Sequence, residues 1–342
     1  MRNVRLSVIV PTHNRHASLS KTLERLRYQD IHREHYEIVV VDDGSTPPLA
    51  LSPNDQGPAC SVVRLEGAER SAARNRGADA ARGEVLVFLD DDMTVGPDFL
   101  SAHLRGHEEW QGTLVVGAVR LIEEAIATPF GRFRQNIEQQ NVPRSRGLTS
   151  IPNFCTAANM SIPRNVFVDA GGFDESLASA EDQDLALRHT ARGGQIAFIP
   201  EAVAIHNDDS LDIRSYCRRV EWGMENMVPF CRRHPDWPDN VARDRVNGVV
   251  RISREPLSQS GRKLIKFALR LRPADETLFG AAWVLEHVAA NSGMLDRVYR
   301  VLLGTHIFKG YRRGLKRFGD LYKQETKTIS KLPRSSVASS KS

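Results

Sequence analysis

The first half of the chain breaks into short apolar runs separated by segments with helical spacing. Leu6-Ser7-Val8-Ile9-Val10-Pro11, Ile38-Val39-Val40-Val41, Val85-Leu86-Val87-Phe88-Leu89 and Leu114-Val115-Val116-Gly117 are strand-length and rich in β-branched residues, which predicts buried strands. Pro11 cannot donate to a ladder and is expected to end the first of them. Between the first two runs Leu19, Leu23 and Leu26 recur on one helical face, with Ser18 or a neighbour as cap. This is β-α-β, the unit of a parallel sheet. Arg70 to Ala81 reads as a helix dense in small residues and closed by Arg82-Gly83, and Pro97 to Trp110 reads as another. Residues 125–150 lack periodicity and contain Pro129 and Pro143, which predicts a long connection. Asn159 to Pro163 is a further strand, Ala180 to Arg188 opens a helix that stops at Gly193-Gly194, and Ile196 to Pro200 and Ala202 to Ile205 are two short strands.

Beyond Ser210 strand signals fade. Arg262 to Arg272 and Arg297 to Phe318 each put apolar residues on one helical face and Lys or Arg on the other. The expected division is an α/β domain over 1–209, a basic helical region over 210–325, and a Lys- and Ser-rich disordered tail over 326–342.

Charge sharpens that division. Residues 1–209 carry 21 Lys+Arg against 29 Asp+Glu, and residues 210–342 carry 26 against 13, so a net charge of +5 conceals parts of −8 and +13. The basic part has two readings: a helical bundle with solvated cationic faces, or a surface that docks peripherally on an anionic membrane. No nucleic-acid partner is expected. No stretch reaches the ~18 uncharged apolar residues of a spanning helix; the nearest, Thr277 to Leu295, contains Glu286 and His287. Met1 to Arg5 leads straight into a strand without the apolar core of a secretory signal. Cys60, Cys155, Cys217 and Cys231 have no CxxC spacing, which favours a reducing compartment over a disulfide framework or zinc site. The expectation is a cytoplasmic protein, on the inner face of the membrane if the basic helices dock.

The chemistry collects where the strands stop. The central run ends in Asp90-Asp91-Asp92 and the second in Asp42-Asp43-Gly44-Ser45. Adjacent aspartates raise one another's pKa values unless a cation or hydrogen-bond donors answer them. In open α/β sheets the crevice beyond the carboxyl ends of the strands is where ligands bind, and hard oxygens suit Mg²⁺ or Mn²⁺. Each cluster also has a plain reading as an acidic turn. Arg74 could serve a phosphate or be an ordinary surface arginine. Glu181, Asp182 and Asp184 complement a helix N-terminus, where one of them would be exposed enough to act as a base. His206, after the last strand, is a satisfied polar group or a metal ligand.

The order of these segments resembles the family 2 glycosyltransferases. Val10-Pro11-Thr12-His13-Asn14-Arg15, Val40 to Ser45, Ala73-Arg74-Asn75-Arg76-Gly77, Phe88 to Asp92, Gly171-Gly172-Phe173-Asp174-Glu175 and Glu181 to Leu185 follow in the family's sequence, over residues 5–208. The resemblance implies a GT-A (nucleotide-diphospho-sugar transferase) fold with a central, mostly parallel sheet, followed here by a helical C-terminal extension. It implies a nucleotide-sugar donor held by Pro11, His13, Asn14, Arg15, Asp43, Arg74, Asp90 and Asp91, with Asp43 accepting from the base, most naturally uracil. Asp92, with His206, would bind Mn²⁺ or Mg²⁺. Asp182 would be the base and Glu181 its orienting partner, in one displacement that inverts the anomeric centre. The acceptor would be a glycan, a lipid-linked group or a small molecule. The Q-x-x-R-W motif of processive synthases has no match at Arg218-Arg219-Val220-Glu221-Trp222, which implies one sugar per encounter.

Two other readings compete. A sugar nucleotidyltransferase should carry a glycine-rich phosphate loop after the first strand, and Pro11 to Arg15 is not one. A catalytically idle GT-A domain that binds partners or a membrane surface would not need Asp43, Asp92 and Asp182 together. No G-x-G-x-x-G follows the first strand, which disfavours a dinucleotide-binding oxidoreductase.

Overall fold

The computed structural model describes residues 4–50, 57–208, 212–250, 256–269 and 271–319; the tail expected over 326–342 lies outside them. Two compact units emerge: Met1–Tyr216 with Val284–Tyr299, and Cys217–Trp283 with Arg300–Ser342.

The first unit opens with β1 (Leu6–Thr12), α1 (His16–Arg27), β2 (Tyr36–Asp43), β3 (Ala59–Leu65), α2 (Glu69–Ala80), β4 (Val85–Leu89), β5 (Met93–Val95), α3 (Phe99–Glu109) and β6 (Leu114–Leu121). It continues with α4 (Glu123–Ala127), α5 (Pro129–Glu138), β7 (Gly147–Thr149), β8 (Asn159–Pro163), α6 (Arg164–Asp169), α7 (Glu181–Ala191) and β9 (Ile196–His206). One sheet runs β3-β2-β1-β4-β8-β6-β9-β5, with β7 also on β9. β3, β2, β1 and β4 are mutually parallel, β8 is antiparallel to β4 and β6, and β6 and β9 are parallel.

Alternate residues of the central strands feed opposite layers. Ile9, Val39, Val41, Leu86 and Phe88 pack with Ala73 and Ala78 of α2 and Leu185 and Ala186 of α7. Val8, Val10, Val40, Val87 and Leu89 pack with Leu19, Leu23 and Leu26 of α1 and Phe99 and Leu100 of α3. Helices therefore cover both faces, which is why the strands read as unbroken apolar runs. The small residues of α2 are a consequence: a Cβ on Gly77 would stand 2.4 Å from the Ile9 Cγ2, so the helix sits almost on the sheet.

Several local expectations change. β1 continues through Pro11 to Thr12, because the last β1–β4 pair is Ile9 with Phe88 and Pro11 lies beyond it. Ser18 lies inside α1, which begins after Arg15 with no side-chain cap. Residues 125–150 are not a bare connection but contain α5, whose start is fixed by Thr128 Oγ1 accepting from Gly131 N at 2.9 Å with Pro129 at the first helical position. The two strands expected over 196–205 are one, β9, with a register shift opposite Gly117 and Ala118. Asn159 Nδ2 bridges that irregularity by donating to the carbonyls of Ala118 and Ala202 at 3.0 and 2.8 Å.

The C-terminal helices are α8 (Ile213–Asn226), α9 (Val228–Arg233), α10 (Pro238–Asn247), α11 (Leu257–Leu269), α12 (Arg272–Val288) and α13 (Gly293–Phe318). Within the second unit a charged cluster is internal: His306 pairs with Glu221 at 2.5 Å, and Lys309 with Asp275 at 2.7 Å. Among the described residues no helix is long and apolar enough to cross a membrane.

Candidate active site

The parallel strands all point their carboxyl ends to one edge of the sheet, so the turns after β1, β2 and β4 become neighbours. His13 Nδ1 lies 2.6 Å from the Asp43 carbonyl, and since a carbonyl only accepts, that nitrogen carries the proton. His13 Nε2 then accepts from Asn14 Nδ2 at 2.8 Å. Asn14 takes a left-handed conformation, φ 55°, with its amide N donating to Ser45 Oγ and its Oδ1 accepting from Thr46 N, each at 2.8 Å. The first two strand ends are thereby tied into one rigid lip.

Asp43 is engaged within the protein. Its carboxylate accepts from Ala68 N at 2.6 Å and Glu69 N at 3.0 Å, the free donors at the start of α2, a favourable place for negative charge. Its neighbour Asp42 is wholly buried, accepts from Ser45 N and Leu49 N, and pairs with Arg64. Burial alone would raise the Asp42 pKa; the hydrogen bonds from Ser45 and Leu49 and the Arg64 guanidinium hold it down at about 2. Asp42 is thus a structural anchor of the lip.

The three central aspartates separate into three roles. Asp90 receives Arg74 Nη2 at 2.8 Å. Asp91 is buried and accepts from Thr12 Oγ1 at 2.6 Å and Arg15 Nη1 at 3.3 Å; burial, helped by the charges of Asp92 and Asp90, raises its pKa against Thr12 and Arg15. Asp92 Oδ2 receives Arg15 at 2.7 Å and lies 3.2 Å from His206 Nε2. Burial works against its ionisation, but His206 and Arg15 prevail and hold it at about 2. Asp92 Oδ1 is buried and has no hydrogen-bond partner among the described residues. Thr22 Oγ1 clamps the turn by donating to the Asp91 and Met93 carbonyls at 2.9 and 2.8 Å.

His206 reaches this turn because β9 pairs with β5, setting His206 opposite Met93. Behind it stands Arg134 of α5, 3.4 Å from His206 Nδ1 and paired with Asp208 at 3.0 Å and Glu138 at 2.8 Å. An orphaned buried carboxylate oxygen beside an imidazole is a donor set that fits a hard or borderline divalent cation. Among the described residues no group of three or more His, Cys, Asp or Glu is arranged to hold one.

On the other side of the crevice Arg74 is buried, not at the surface, and joins Asp90 to Glu181, 2.7 Å away. Its guanidinium is raised in pKa: burial opposes the charge, but Asp90, Glu181 and Asp182 outweigh it. Glu181 and Asp182 open α7, and Ala180 before them is held at φ 63°, a left-handed conformation that costs about 1–3 kcal/mol for a residue with a Cβ. Of the three acids in this turn Asp182 is the least buried; it is partly covered and accepts from Gln183 N at 2.8 Å and Ala157 N at 3.3 Å. Burial first, then the Glu181 charge, pushes its pKa up to about 7 against the pull of Arg74. Asp184, the third acid, pairs with Arg188 at 2.7 Å and is structural.

The structure therefore brings His13, Asn14, Arg15, Asp43, Arg74, Asp90, Asp91, Asp92, Glu181, Asp182 and His206 to one edge of the sheet, with Pro11 in the strand beneath them. Sequence reasoning missed Thr12, Thr22, Arg134 and Asp208, which hold these groups in place. Only the position of Thr12 between Pro11 and His13 carried a signal.

Residues 7–169 match the family described as Glycosyl transferase family 2. The pre-mycofactocin glycosyltransferase of Mycobacterium tuberculosis is 27% identical over 242 residues, 68% of this chain and 48% of that protein. Validoxylamine A glucosyltransferase of Streptomyces hygroscopicus subsp. limoneus is 28% identical over 262 residues, 67% of this chain and 57% of the relative. The chain thus spans about half the length of the curated relatives it matches. In fold it is similar to a mannosyltransferase from Pyrobaculum calidifontis, solved in complex with GDP-Man and Mn²⁺, with TM-score 0.55 and 18% identity over 91% of this chain and 87% of that one. With the ordered motifs, the crevice at the strand ends and the family match in agreement, residues 7–169 carry a family 2 glycosyltransferase domain, on a chain whose fold is that of the GT-A transferases.

Proposed function

We propose that the chain transfers a single sugar from a nucleotide-diphosphate sugar, with uracil the favoured base, to an acceptor hydroxyl by one displacement that inverts the anomeric centre. The observation that carries the proposal is Asp182: a partly covered carboxylate with a pKa near 7, one residue from Glu181 and coupled through Arg74 to the aspartate turn. A general base works best when its pKa lies near the operating pH. Asp182 takes the proton of the attacking hydroxyl on a carboxylate oxygen, and Glu181, held by Arg74, orients that carboxylate. Arg74 is a positioning residue in this scheme, since its guanidinium is spent on Asp90 and Glu181.

The lip formed by His13, Asn14 and Asp43 would receive the base and ribose, and Arg15, half-exposed, would face the diphosphate. Asp92, through an Oδ1 without a hydrogen-bond partner among the described residues, and His206 would hold a divalent cation; a mannosyltransferase of similar fold was solved in complex with Mn²⁺. Such an ion would supply neutralisation of the leaving diphosphate. The acceptor, whether a glycan, a lipid-linked group or a small molecule, is read by parts of the chain that carry no recognisable code.

Asp182→Asn is the test. It keeps the size and the hydrogen bond from Gln183 N, gives up the longer one from Ala157 N, and cannot accept the proton, so transfer should fall about 10²–10⁴-fold while Mn²⁺-dependent UDP binding persists. Asp92→Asn, as the converse control, should weaken that binding. Transfer by Asp182→Asn at the parent rate removes this residue from the reaction.

A further inference from the structure

Helix α11 is turned inside out, and we infer that its outward apolar face docks on an anionic lipid bilayer. At about 100° per residue Leu257, Leu264, Ile265 and Ala268 share one arc of this helix. All four are exposed, Leu257 by 77%, Leu264 by 55% and Ile265 by 61%. Leu271, just beyond the helix, is exposed by 58%. The opposite arc, which in an ordinary surface helix would be polar and wet, is turned into the protein. Lys263 is among the most buried side chains of the chain, its ammonium donating to the Val249 carbonyl at 3.1 Å, and Lys266 donates to Asn247 Oδ1 at 2.9 Å. Burial, reinforced by Lys263, lowers the Lys266 pKa.

An ordinary amphipathic helix gains stability by burying its apolar stripe. This one buries Lys263 and half-buries Lys266 while it leaves large aliphatic side chains in water, an arrangement that makes sense when that stripe has its own apolar phase to enter.

Charge selects the occupant. Residues 257–272 contain Arg262, Lys263, Lys266, Arg270 and Arg272 and no Asp or Glu, within a C-terminal part of net charge +13. A second copy of the chain seated on this face would bring like charges together. A bilayer with anionic headgroups offers both an apolar layer deep enough for leucine and isoleucine and a countercharge for the exposed Arg262. The same surface would bring the protein to acceptors that reside in or on a membrane, although the docking stands independently of the transfer reaction.

Sedimentation of the full chain with vesicles tests this directly. The protein should pellet with equimolar phosphatidylglycerol and phosphatidylcholine, should not pellet with phosphatidylcholine alone, and should be released as ionic strength rises. Leu264→Glu with Ile265→Glu should lower the partition coefficient at least about tenfold, and Leu264→Ser with Ile265→Ser should lower it less. Both side chains are exposed, so circular dichroism and UDP binding should be unchanged in either double variant. Equal pelleting by parent and Glu variant, equal pelleting on neutral and anionic vesicles, or no pelleting at all overturns the inference. So does light scattering that shows a dimer of the parent dissociated by the same substitutions, which would make the face a self-association surface.

Discussion

At the scale of single residues the molecule holds its carboxylates in opposite ways. Asp42 and Asp92 sit at about 2, below the usual aspartate range, and Asp182 is lifted to about 7. The signs separate in a pH titration. A carboxyl whose pKa is depressed in the folded state contributes stability that is present above about 4 and lost as pH falls toward 2. A carboxyl whose pKa is raised does the reverse: between about 4 and 7 the folded Asp182 holds a proton that the unfolded chain has released, so stability falls as pH rises through that window. Asp182→Asn should therefore be more stable than the parent at pH 8, by on the order of 1 kcal/mol or more, with the gain vanishing near pH 4. Thermal unfolding at the two pH values measures it, and an equal difference at both would refute the raised pKa. The parent enzyme should in turn gain kcat as pH rises through about 7, because only the ionised carboxylate accepts a proton. Asp42-Asp43 and Asp90-Asp91-Asp92 stand out in the sequence because they end apolar runs, and Glu181-Asp182 because they open a helix. Their protonation was not, since it depends on Arg74, Arg15 and His206, which the chain delivers from distant positions.

At the scale of elements, the strands and helices that read clearly are those whose apolar residues face a layer made entirely by themselves. β1, β2 and β4 are buried on both sides and could be read as runs; α1 and α3 carry clean stripes. β3 went unread because its apolar residues, among them Val62, Val63 and Leu65, are interrupted by Ser61 and Arg64, and it is an exposed edge legible only as the partner of β2. α5 went unread because Pro129 and Pro143 suggest a loop, while Pro129 in fact stands at the first helical position behind the Thr128 cap. That cap matters to the site, since α5 carries Arg134 to His206. Thr128→Ala should cost about 1 kcal/mol, the usual worth of a threonine N-cap. Gly131→Ala should do more damage, because the added Cβ would stand 1.7 Å from the Ala125 carbonyl oxygen and force the helix to shift. Both variants should lower Mn²⁺-dependent UDP affinity in the order of their effect on unfolding midpoint; parent-like affinity in Gly131→Ala would uncouple α5 from the site.

At the scale of the whole molecule, the first compact unit is not continuous in sequence. It takes in residues 284–299 from the middle of the helical extension, and the change in charge and pattern near Ser210 gave no hint of that return. The physical reason is aromatic. Tyr299, fully buried, meets Phe133 at 4.9 Å and Phe130 at 5.5 Å between ring centroids, and Tyr216 meets Phe130 at 5.4 Å, so α5 is packed partly by side chains from far along the chain. Arg132 Nη2 adds a hydrogen bond to Asn291 Oδ1 at 3.0 Å. Sequence periodicity cannot report such a return, because each participating ring satisfies the stripe of its own helix. Replacing the ring tests whether the return supports the site. Tyr299→Ala should cost about 3–5 kcal/mol, the range for emptying a buried aromatic site, and should weaken UDP binding by loosening α5 and Arg134. Tyr299→Phe keeps both ring contacts and gives up only the hydrogen bond to Glu286 Oε1, now 2.6 Å long, so it should cost about 1 kcal/mol and leave binding intact. Denaturant unfolding of the full chain with UDP titrations separates the two effects, and a Tyr299→Ala protein with parent-like stability would show that residues 284–299 are a bystander to the sheet.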